Sequence, residues 1–312
     1  MVERGEDGTL DDAWGAFDAV RPRLFGIAYR MLGSVTEAED VVQDAWLRWQ
    51  QTDRGRVRDP IGFLVTTTSR LALNAATSAR ARREWYPGPW LPEPVDTSAD
   101  PVLRAERTES LELAVLLLLE RLSPAERAVY VLREAFDYPF RRIGEVLGTS
   151  EANARQLGRR ARTHLARERY GDGSGASRGA ESAEPDLPKP VSRTDHGRLL
   201  RAFLAAAESG DLPQLEKLLA TTAVSYADGG GIVRAAAVPV VGRDSVARYV
   251  VGLFRKFGRD LSLEIGESNG RAAILGSRAG TTVALVTIDA SSAGIERVLM
   301  VLNPVKLGRF QR

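Results

Sequence analysis

The residues with the clearest potential for binding chemistry are six arginines between Glu151 and Tyr170. Only two glutamates accompany them, so this segment carries a net charge of +4. A guanidinium group can donate two parallel hydrogen bonds to a phosphate or to the edge of a guanine. The segment could therefore bind nucleic acid. An ordinary amphipathic helix with a solvated basic face would explain the same charges.

A short helix, a glycine-containing turn and a second helix are predicted to position these arginines. Ser123–Glu126 is a helix start, because a serine cap is followed by proline and then by a carboxylate at the third position. Ile143–Leu147 predicts a short apolar helix that Gly148 ends, and Ser150 caps the next helix. The apolar stripe of that helix consists of Ala154, Leu157, Ala161 and Leu165. This pattern is typical of a helix-turn-helix.

The composition of the chain excludes several classes of function. The 312 residues include 43 basic and 41 acidic side chains, a formal charge of +2, so any basic surface must be local. The chain has no cysteine, which excludes a disulfide framework, a thiolate zinc site and a cysteine nucleophile. Its start does not resemble a signal peptide, and its longest apolar run, residues 113–119, is too short to span a bilayer. We therefore expect a soluble cytoplasmic protein with no membrane partner, metal or cofactor.

Residues 12–83 are predicted to form a helical domain. Apolar residues recur at three- and four-residue steps from Trp14 until Gly33 breaks the pattern. Thr36–Glu39 is predicted to restart it as a capping box that leads into the segment Asp40–Trp49. Taken alone, the tryptophans of that segment are typical of a core and its acids of a solvated face. Asp59-Pro60 opens a further helix.

The end of that helix mixes guanidinium groups with polar and aromatic side chains. The set consists of Arg70, Asn74, Arg80, Arg82, Arg83, Trp85 and Tyr86. Arginines can follow phosphates and flat rings can stack on unpaired bases, so the set could hold a single strand of nucleic acid. A basic helix end that complements its own dipole explains the same residues, and the sequence leaves both interpretations open.

Two connectors follow from the composition. Trp85–Pro94 contains four prolines and cannot be helical, so it predicts a semi-stiff linker. A helix from about Ala105 to Leu119 then leads into the helix-turn-helix. Gly171–Pro190 is rich in Gly, Ser, Glu and Pro and predicts a flexible tether.

The last third of the chain predicts an α+β domain. Its apolar periodicity gives helices over Leu199–Ala207, Asp211–Leu219 and Asp244–Phe257. The predicted strands are Val224–Tyr226, Leu261–Ile265, Arg271–Gly276, Thr282–Ile288 and Glu296–Leu302. Asn269-Gly270 is a two-residue hairpin signal between two of these strands.

Three segments, taken together in their order and spacing, resemble the two conserved domains of extracytoplasmic-function (ECF) sigma factors. These proteins are the specificity subunits of bacterial RNA polymerase. The three segments are Asp40–Trp49, Pro60–Arg83 and Leu122–Leu165. The resemblance implies that residues 12–83 bind the polymerase clamp and hold the minus-ten promoter strand. It also implies that residues 106–169 dock on the polymerase flap and read the minus-thirty-five element.

The same resemblance assigns individual residues. The implied clamp-binding residues are Asp40, Gln43, Asp44, Trp46, Leu47 and Trp49. Those for the minus-ten element are Arg70, Asn74, Arg80, Arg82 and Arg83. Those for the minus-thirty-five element are Glu151, Asn153, Arg155, Gln156 and Arg159.

The C-terminal order of helices and strands resembles the SnoaL-like domains of the nuclear-transport-factor superfamily, which one sigma subgroup carries. The linker of that subgroup has the sequence Trp-Leu-Pro-Glu-Pro, which Trp90–Pro94 resembles. The subgroup also has two signatures in its C-terminal domain. Asp228–Gly231 resembles the first, Asp-Gly-Gly-Gly-Lys, and Asn303–Leu307 resembles the second, Asn-Pro-Asp-Lys-Leu. Ile232 stands where lysine is expected and Val305 where aspartate is expected, so both departures remove a charge.

The resemblance implies that this domain binds back onto the sigma domains or the polymerase, in place of a separate anti-sigma protein. A small ligand in its cone could control that contact. The implied contact residues are Trp90, Leu91, Pro92, Asp228, Gly229, Gly230, Gly231, Asn303, Pro304, Lys306 and Leu307.

The sequence thus predicts a multidomain chain with two all-α sigma domains and a C-terminal α+β SnoaL-like cone whose curved sheet is mainly antiparallel. The predicted ranges are 12–84 for region 2, 85–105 for the linker, 106–170 for region 4, 171–193 for the tether and 194–312 for the regulatory domain.

The predicted function is that of an alternative sigma factor regulated by its own C-terminal domain. Two alternatives remain, namely a polymerase-independent helix-turn-helix regulator with a sensor domain, and a SnoaL-like enzyme fused to a DNA-binding module. The second is disfavoured because the C-terminal domain offers His196 as its one histidine, and because Asp228, Glu264 and Asp289 are more typical of turn caps or solvated strands.

Overall fold

A computed structural model describes residues 7–98, 112–170 and 191–310 of the chain. Its contacts divide the described residues into two compact units. The helical unit contains residues 7–82 and 118–170, and the mixed unit contains residues 83–98, 112–117 and 191–310. Most of the predicted tether lies outside the described residues. The predicted start of the helix at Ala105 also lies outside them.

The helices of the helical unit largely follow the predicted pattern. The first four are α1 (Asp7–Asp18), α2 (Arg21–Leu32), α3 (Val35–Gln50) and α4 (Pro60–Arg83), with a 3-10 turn at Arg54–Arg56. They are followed by α5 (Leu113–Leu119), α6 (Pro124–Tyr130), a π-helical turn at Val131–Ala135, α7 (Phe140–Leu147) and α8 (Glu151–Tyr170). Of α5, residues 113–117 are assigned to the mixed unit. No helix within the described residues is both long enough and apolar enough to cross a membrane.

The start of α3 differs from the prediction. The cap is Ser34, whose hydroxyl accepts a hydrogen bond from the Glu37 amide at 3.3 Å, and not Thr36. Gly33 ends α2 in the left-handed region with φ 64° and donates to the Tyr29 carbonyl. The chain has therefore turned before Ser34, and the first side-chain oxygen after the turn takes the capping position.

The predicted helix-turn-helix is confirmed in its local details. Ser123 and Glu126 form the reciprocal capping box at the start of α6. Gly148 ends α7 with φ 66°, and the Ser150 hydroxyl accepts from the Asn153 amide at 3.1 Å. The buried stripe of α8 contains the predicted Ala154 and Ala161, with Leu157 and Leu165 half-buried beside them.

One buried arginine joins the two halves of the helical unit. Arg127 of α6 is 4% exposed and donates to the Met31 carbonyl of α2 and to the Leu119 carbonyl, both at 2.8 Å. It also pairs with Glu120 at 2.6 Å. Helices from the predicted region 2 and region 4 thus pack against each other within one unit.

The mixed unit contains a six-stranded sheet that packs against helices. Its helices are α9 (Arg193–Ser209), α10 (Leu212–Leu218), α11 (Arg243–Phe257) and the short α12 (Pro304–Leu307). Its strands are β1 (Leu219–Asp228), β2 (Val240–Val241), β3 (Ser262–Ser268), β4 (Arg271–Arg278), β5 (Thr281–Ser291) and β6 (Gly294–Val301). The strand order is β2-β1-β6-β5-β4-β3, and the pairing is antiparallel except between β1 and β6. The predicted α+β class is confirmed, although β2 and α12 were not predicted.

The sheet of the mixed unit has two buried faces. Ile288, Val298 and Met300 face α9 and α11 and form the inner core with residues such as Phe203 and Val250. The opposite face packs Leu275, Leu285, Leu299 and Val301 against Leu91 of the linker and Leu113 of α5. The proline-rich linker is therefore a packed layer of this unit.

The hairpin between β3 and β4 is confirmed. Asn269 and Gly270 have φ values of 54° and 74°, as a two-residue turn of the predicted type requires. The Asn269 amide donates to the Val95 carbonyl at 2.9 Å, and the Asn269 side-chain oxygen accepts from the Val95 amide at 3.0 Å. The Thr97 hydroxyl donates to Glu267 and accepts from the Gly270 amide. This turn therefore anchors the far end of the linker.

Candidate functional site: the linker latch and the exposed faces of α3 and α8

Asp228, at the end of β1, is fully buried and accepts four hydrogen bonds. Oδ1 accepts from the Tyr86 hydroxyl at 2.6 Å and from the Gly230 amide at 3.0 Å. Oδ2 accepts from the Leu91 amide at 2.9 Å and from Lys306 Nζ at 2.7 Å. Because an isolated buried carboxylate would be unstable, these four donors and the charge of Lys306 are what permit its burial.

The ammonium group of Lys306 is enclosed by the linker. Besides Asp228, its Nζ donates to the Leu91 carbonyl. It lies 4.3 Å from the centre of the Trp90 ring and 5.0 Å from that of Tyr86. Burial lowers the pKa of Lys306, and the charge of Asp228 opposes this shift. Aromatic faces and a carboxylate are the groups that stabilise a desolvated ammonium.

Asn303 and the glycines complete the cluster. Asn303 Nδ2 donates to the Tyr86 hydroxyl at 2.9 Å, and its Oδ1 accepts from the Val305 amide at the start of α12. A β-carbon on Gly230 would lie 2.3 Å from Asn303 Nδ2, and one on Gly231 would lie 2.8 Å from Pro87 of the linker. Both positions have positive φ, so only glycine fits. We call Tyr86, Trp90, Leu91, Asp228, Asn303 and Lys306 the linker latch.

The predicted regulatory residues therefore fall in one region of the mixed unit. Pro92 and Leu307 are buried beside the latch, whereas Pro304 is exposed. The two departures from the subgroup signatures, Ile232 and Val305, are 63% and 75% exposed. The charges they lack are not needed for the latch, because Asp228 and Lys306 supply its ion pair.

Sequence reasoning did not place Tyr86 in the latch. It grouped this residue with the basic end of α4, whereas the hydroxyl binds Asp228 at a separation of 142 residues. No local pattern in the linker indicates a partner so distant in sequence.

Tyr86 makes the latch sensitive to alkaline pH. Burial, followed by the hydrogen bond to Asp228 and the negative charge of that residue, raises the pKa of Tyr86 above its ordinary value of 10. The neutral phenol therefore stabilises the folded unit in full below pH 10, and this contribution is lost as the pH rises above 10 because the unfolded phenol ionises first. We expect the free energy of unfolding to fall more steeply above about pH 10 in the wild type than in Tyr86→Phe. Equal pH dependence in urea titrations of the two proteins would contradict this role.

The acidic segment of α3 presents one exposed face. Asp40, Gln43, Asp44 and Leu47 are all exposed, and their spacing of three and four residues places them on the same side of the helix. Leu47 is 45% exposed and lies beside the two carboxylates of this face. We call these four residues the α3 face.

The two tryptophans of this segment pack against the interior of the helical unit and do not belong to the α3 face. Trp46 is half-buried, with its ring 5.1 Å from Trp14 and 4.9 Å from Phe17. Trp49 is 2% exposed and donates from Nε1 to the Ala13 carbonyl at 3.1 Å. Trp49 therefore supports α3 from inside the unit, and its assignment as a clamp-binding residue stays a prediction.

The arginines assigned to the minus-ten element mostly have partners within the protein. Arg70 donates to the Val146 and Glu145 carbonyls at the end of α7, at 2.8 and 3.2 Å. Arg80 donates to the Leu122 carbonyl, and Arg82 pairs with Glu37. Arg83 lies 3.7 Å from the centre of the Trp90 ring. Asn74 is exposed on the same helix.

The residues assigned to the minus-thirty-five element differ in their surroundings. Arg155 pairs with Glu151 one turn earlier and stacks over Phe140. Asn153 donates from its side chain to the Thr149 hydroxyl at 2.7 Å. Gln156 and Arg159 are exposed on the same helix.

Three of the four groups considered for catalysis have separate partners. His196 Nε2 lies 2.9 Å from the Ile288 carbonyl, and burial lowers the pKa of its ring. Asp289 forms a buried pair with Arg297 at 2.6 Å, and Asp228 belongs to the latch. Among the described residues, no three His, Asp or Glu side chains are grouped to hold a metal ion.

Comparisons with known proteins agree with this architecture. The family model for Sigma-70 region 2 matches residues 16–82, and that for Sigma-70 region 4 matches residues 112–165. The ECF RNA polymerase sigma factor SigJ of Mycobacterium tuberculosis is 36% identical over 285 residues, which cover 90% of this chain and 85% of SigJ. A probable ECF sigma factor of the same organism, SigI, is 34% identical over 77% of each chain.

A solved structure extends the likeness to the whole fold. The crystal structure of M. tuberculosis SigJ superposes with a TM-score of 0.72 at 32% identity, and the match covers 94% of this chain and 97% of that one. Both sigma regions match in this order, and a sigma factor is 36% identical over 90% of the chain. These matches favour the sigma factor over the polymerase-independent regulator and the fused enzyme. The chain belongs to the ECF family of RNA polymerase sigma factors.

Proposed function

We propose that this sigma factor holds core polymerase through the α3 face and promoter DNA through α4 and α8, and that its mixed unit restrains it through the linker latch. As a sigma factor, the chain binds core RNA polymerase and promoter DNA to initiate transcription. The proposal adds two points to this activity, namely which residues make the contacts and how the mixed unit restrains the protein.

The α3 face supports a contact with the polymerase clamp. It combines two carboxylates and an amide with one exposed leucine, and so offers an apolar centre with a charged rim, as protein interfaces commonly do. Trp46, packed on Trp14 and Phe17, holds the helix beneath this face. Region 4 would dock on the polymerase flap, while α8 reads the minus-thirty-five element.

Variants of the α3 face test this contact. Leu47→Ala and Asp44→Ala should each weaken core binding about tenfold, as expected for central interface residues worth roughly 1–2 kcal/mol. Both side chains are exposed, so the folding stability should stay within about 0.5 kcal/mol of the wild type. Affinity can be measured by titrating labelled protein with core polymerase.

Asp53→Ala is the matched control, because Asp53 is an exposed carboxylate of the same unit outside the α3 face. It should bind core polymerase as the wild type does. Unchanged binding by both Leu47→Ala and Asp44→Ala would remove the α3 face from the interface.

The latch supports the proposed restraint. The linker joins region 2 to region 4 along the chain, and it is fixed to the sheet at Asp228 and Lys306 and again at Asn269. While both attachments hold, the segment between the two promoter-binding domains cannot extend freely. A covalently attached unit acts at high effective concentration, so modest contacts suffice to replace a separate anti-sigma protein.

The observation that carries the restraint is the buried pair of Asp228 and Lys306 around linker atoms. Releasing it should raise transcription by the full chain. A small ligand that binds the mixed unit could act on the same contact.

A further inference from the structure

Several large apolar side chains of the mixed unit are exposed around the start of the linker. Trp85 and Val238 are 89% and 70% exposed, and Ile232 and Val305 are exposed to a similar extent. Single exposed apolar residues are common in soluble proteins, whereas contiguous apolar patches mark interaction sites. We call Trp85, Ile232, Val238 and Val305 the linker-side patch.

The loop that follows β1 borders the start of the linker. A β-carbon on Gly231 would lie 2.8 Å from the ring of Pro87, and one on Gly88 would lie 3.8 Å from the Ala237 carbonyl oxygen. This loop therefore touches the linker at two points. The next residues along the loop after these two points are the patch members Ile232 and Val238.

The start of α12 reaches the same part of the linker. Asn303 donates from its side-chain amide to the Tyr86 hydroxyl at 2.9 Å, and its side-chain oxygen accepts from the Val305 amide at 3.0 Å. Trp85 precedes Tyr86, so Trp85 and Val305 each lie next to a residue of this contact. The four side chains of the patch thus gather around residues 85–88 of the linker.

The patch is apolar because of the two departures from the subgroup signatures. Ile232 replaces an expected lysine and Val305 an expected aspartate, so two of the four members would otherwise be charged. In this chain the four side chains together offer on the order of 400 Å² of apolar surface. A patch of this size lies within the range of about 300–600 Å² that is often functional in monomeric proteins.

The charges beside the patch favour a second copy of this chain as its occupant. Glu84 and Arg234 are both exposed, and within the described parts of the chain neither has a salt-bridge partner. Their charges cancel, so the surface is not suited to the phosphates of DNA. A two-fold interface places the same surface on both sides, which allows Glu84 of one copy to meet Arg234 of the other. Homodimer interfaces are also more apolar than those of transient complexes.

We infer that two copies of this chain associate through their linker-side patches, about a two-fold axis that pairs Glu84 of each copy with Arg234 of the other. Two facing patches bury on the order of 800 Å² of apolar surface. The smaller exposed residues beside them, such as Pro87 and Ala237, bring the total above the roughly 1,000 Å² that a specific interface needs. The second copy also covers the start of the linker. This inference does not depend on the proposed contacts with polymerase and promoter, because the free chain forms the dimer.

Sedimentation of the full chain, without polymerase or DNA, tests the association. Over about 1 to 100 μM, the wild type should change from monomer to dimer. Ile232→Lys and Val305→Asp restore the two charges of the subgroup and should each raise the dissociation constant at least about tenfold, because the dimer would bury an unpaired charge. Both positions are exposed in the free chain, so urea titration should show unchanged folding stability.

Ile265→Lys is the matched control for Ile232→Lys. Ile265 is an exposed isoleucine of the same unit and lies on β3, the edge strand at the opposite end of the sheet from β2. This variant should dimerise as the wild type does. Reversal of one rim charge in Glu84→Arg should weaken the dimer, and Glu84→Arg/Arg234→Glu should restore it, because these residues pair between copies.

A wild type that stays monomeric over the whole concentration range would overturn the inference. So would dimerisation that Ile232→Lys and Val305→Asp leave unchanged, or an equal loss in Ile265→Lys. Failure of the double charge reversal to restore association would overturn the two-fold pairing. Weaker binding of core polymerase by Ile232→Lys, together with a monomeric wild type, would assign the patch to the polymerase and also overturn the inference.

Discussion

Asp228→Ala is expected to lower the free energy of unfolding of the mixed unit by about 3–5 kcal/mol, as does the removal of one member of a buried ion pair. Alanine would leave the ammonium of Lys306 buried with one carbonyl and two aromatic rings as partners. It would also leave the Tyr86 hydroxyl and the Leu91 amide without their acceptor. Urea titration of the full chain measures the loss.

Lys306→Met should cost less than Asp228→Ala. Asp228 would keep the Tyr86, Leu91 and Gly230 donors, which satisfy three of its four hydrogen bonds. The double variant should be more stable than the sum of the two losses predicts, because the two residues interact directly. Additive losses would mean that the two charges do not stabilise each other.

Asp289→Ala separates release of the linker from loss of stability. Asp289 and Arg297 form a buried pair on the same sheet, at a position four residues along β6 from Val301, which pairs with Asp228. Both aspartate variants should be destabilised, but only Asp228→Ala should make the linker cleavable by a protease under native conditions. Equal cleavage in the two variants would show that the latch does not hold the linker.

Arg127→Met is expected to lower the free energy of unfolding of the helical unit by about 3 kcal/mol. The substitution keeps most of the side-chain volume but leaves the Met31 and Leu119 carbonyls and the buried side of Glu120 without their donor. Because Met31 belongs to α2 and Arg127 to α6, the packing between the two sigma regions should loosen most. Hydrogen exchange of the amides in α2 and α6 would locate the change.

Arg162→Met provides the comparison for Arg127→Met. Its pair with Glu134 is exposed, and exposed pairs contribute about 0–1 kcal/mol. A loss in Arg127→Met no larger than that in Arg162→Met would contradict the role of the buried arginine.

Local signals predicted local structure well. The capping box at Ser123, the glycine that ends α7 and the Asn269-Gly270 hairpin depend on neighbouring residues, and each is present. Ser34 shows the limit of such signals. Two hydroxyl residues, Ser34 and Thr36, lie near the start of α3, and the turn at Gly33 decides which of them becomes the cap.

The partners of charged and aromatic side chains were much harder to predict. An arginine binds a carbonyl, a carboxylate or a phosphate with the same donors, so the sequence could not show that Arg70 binds the end of α7 or that Arg155 binds Glu151. The motifs at Asp228 and Asn303 were assigned, with the linker, to a contact with the sigma domains or the polymerase. That the motifs bind the linker itself, and Tyr86 with it, required the fold. Trp49 shows that a residue type common in interfaces can also lie in the core.

Run-off transcription with purified core polymerase tests the central claim most directly. Core polymerase supplemented with the wild-type chain should produce promoter-specific transcripts that core polymerase alone does not. Asp228→Asn should increase them and Leu47→Ala should reduce them, because the first opens the latch and the second weakens the α3 face. Absence of specific transcripts with both the wild type and Asp228→Asn would contradict sigma activity, and equal transcription by these two proteins would contradict the restraint by the C-terminal unit.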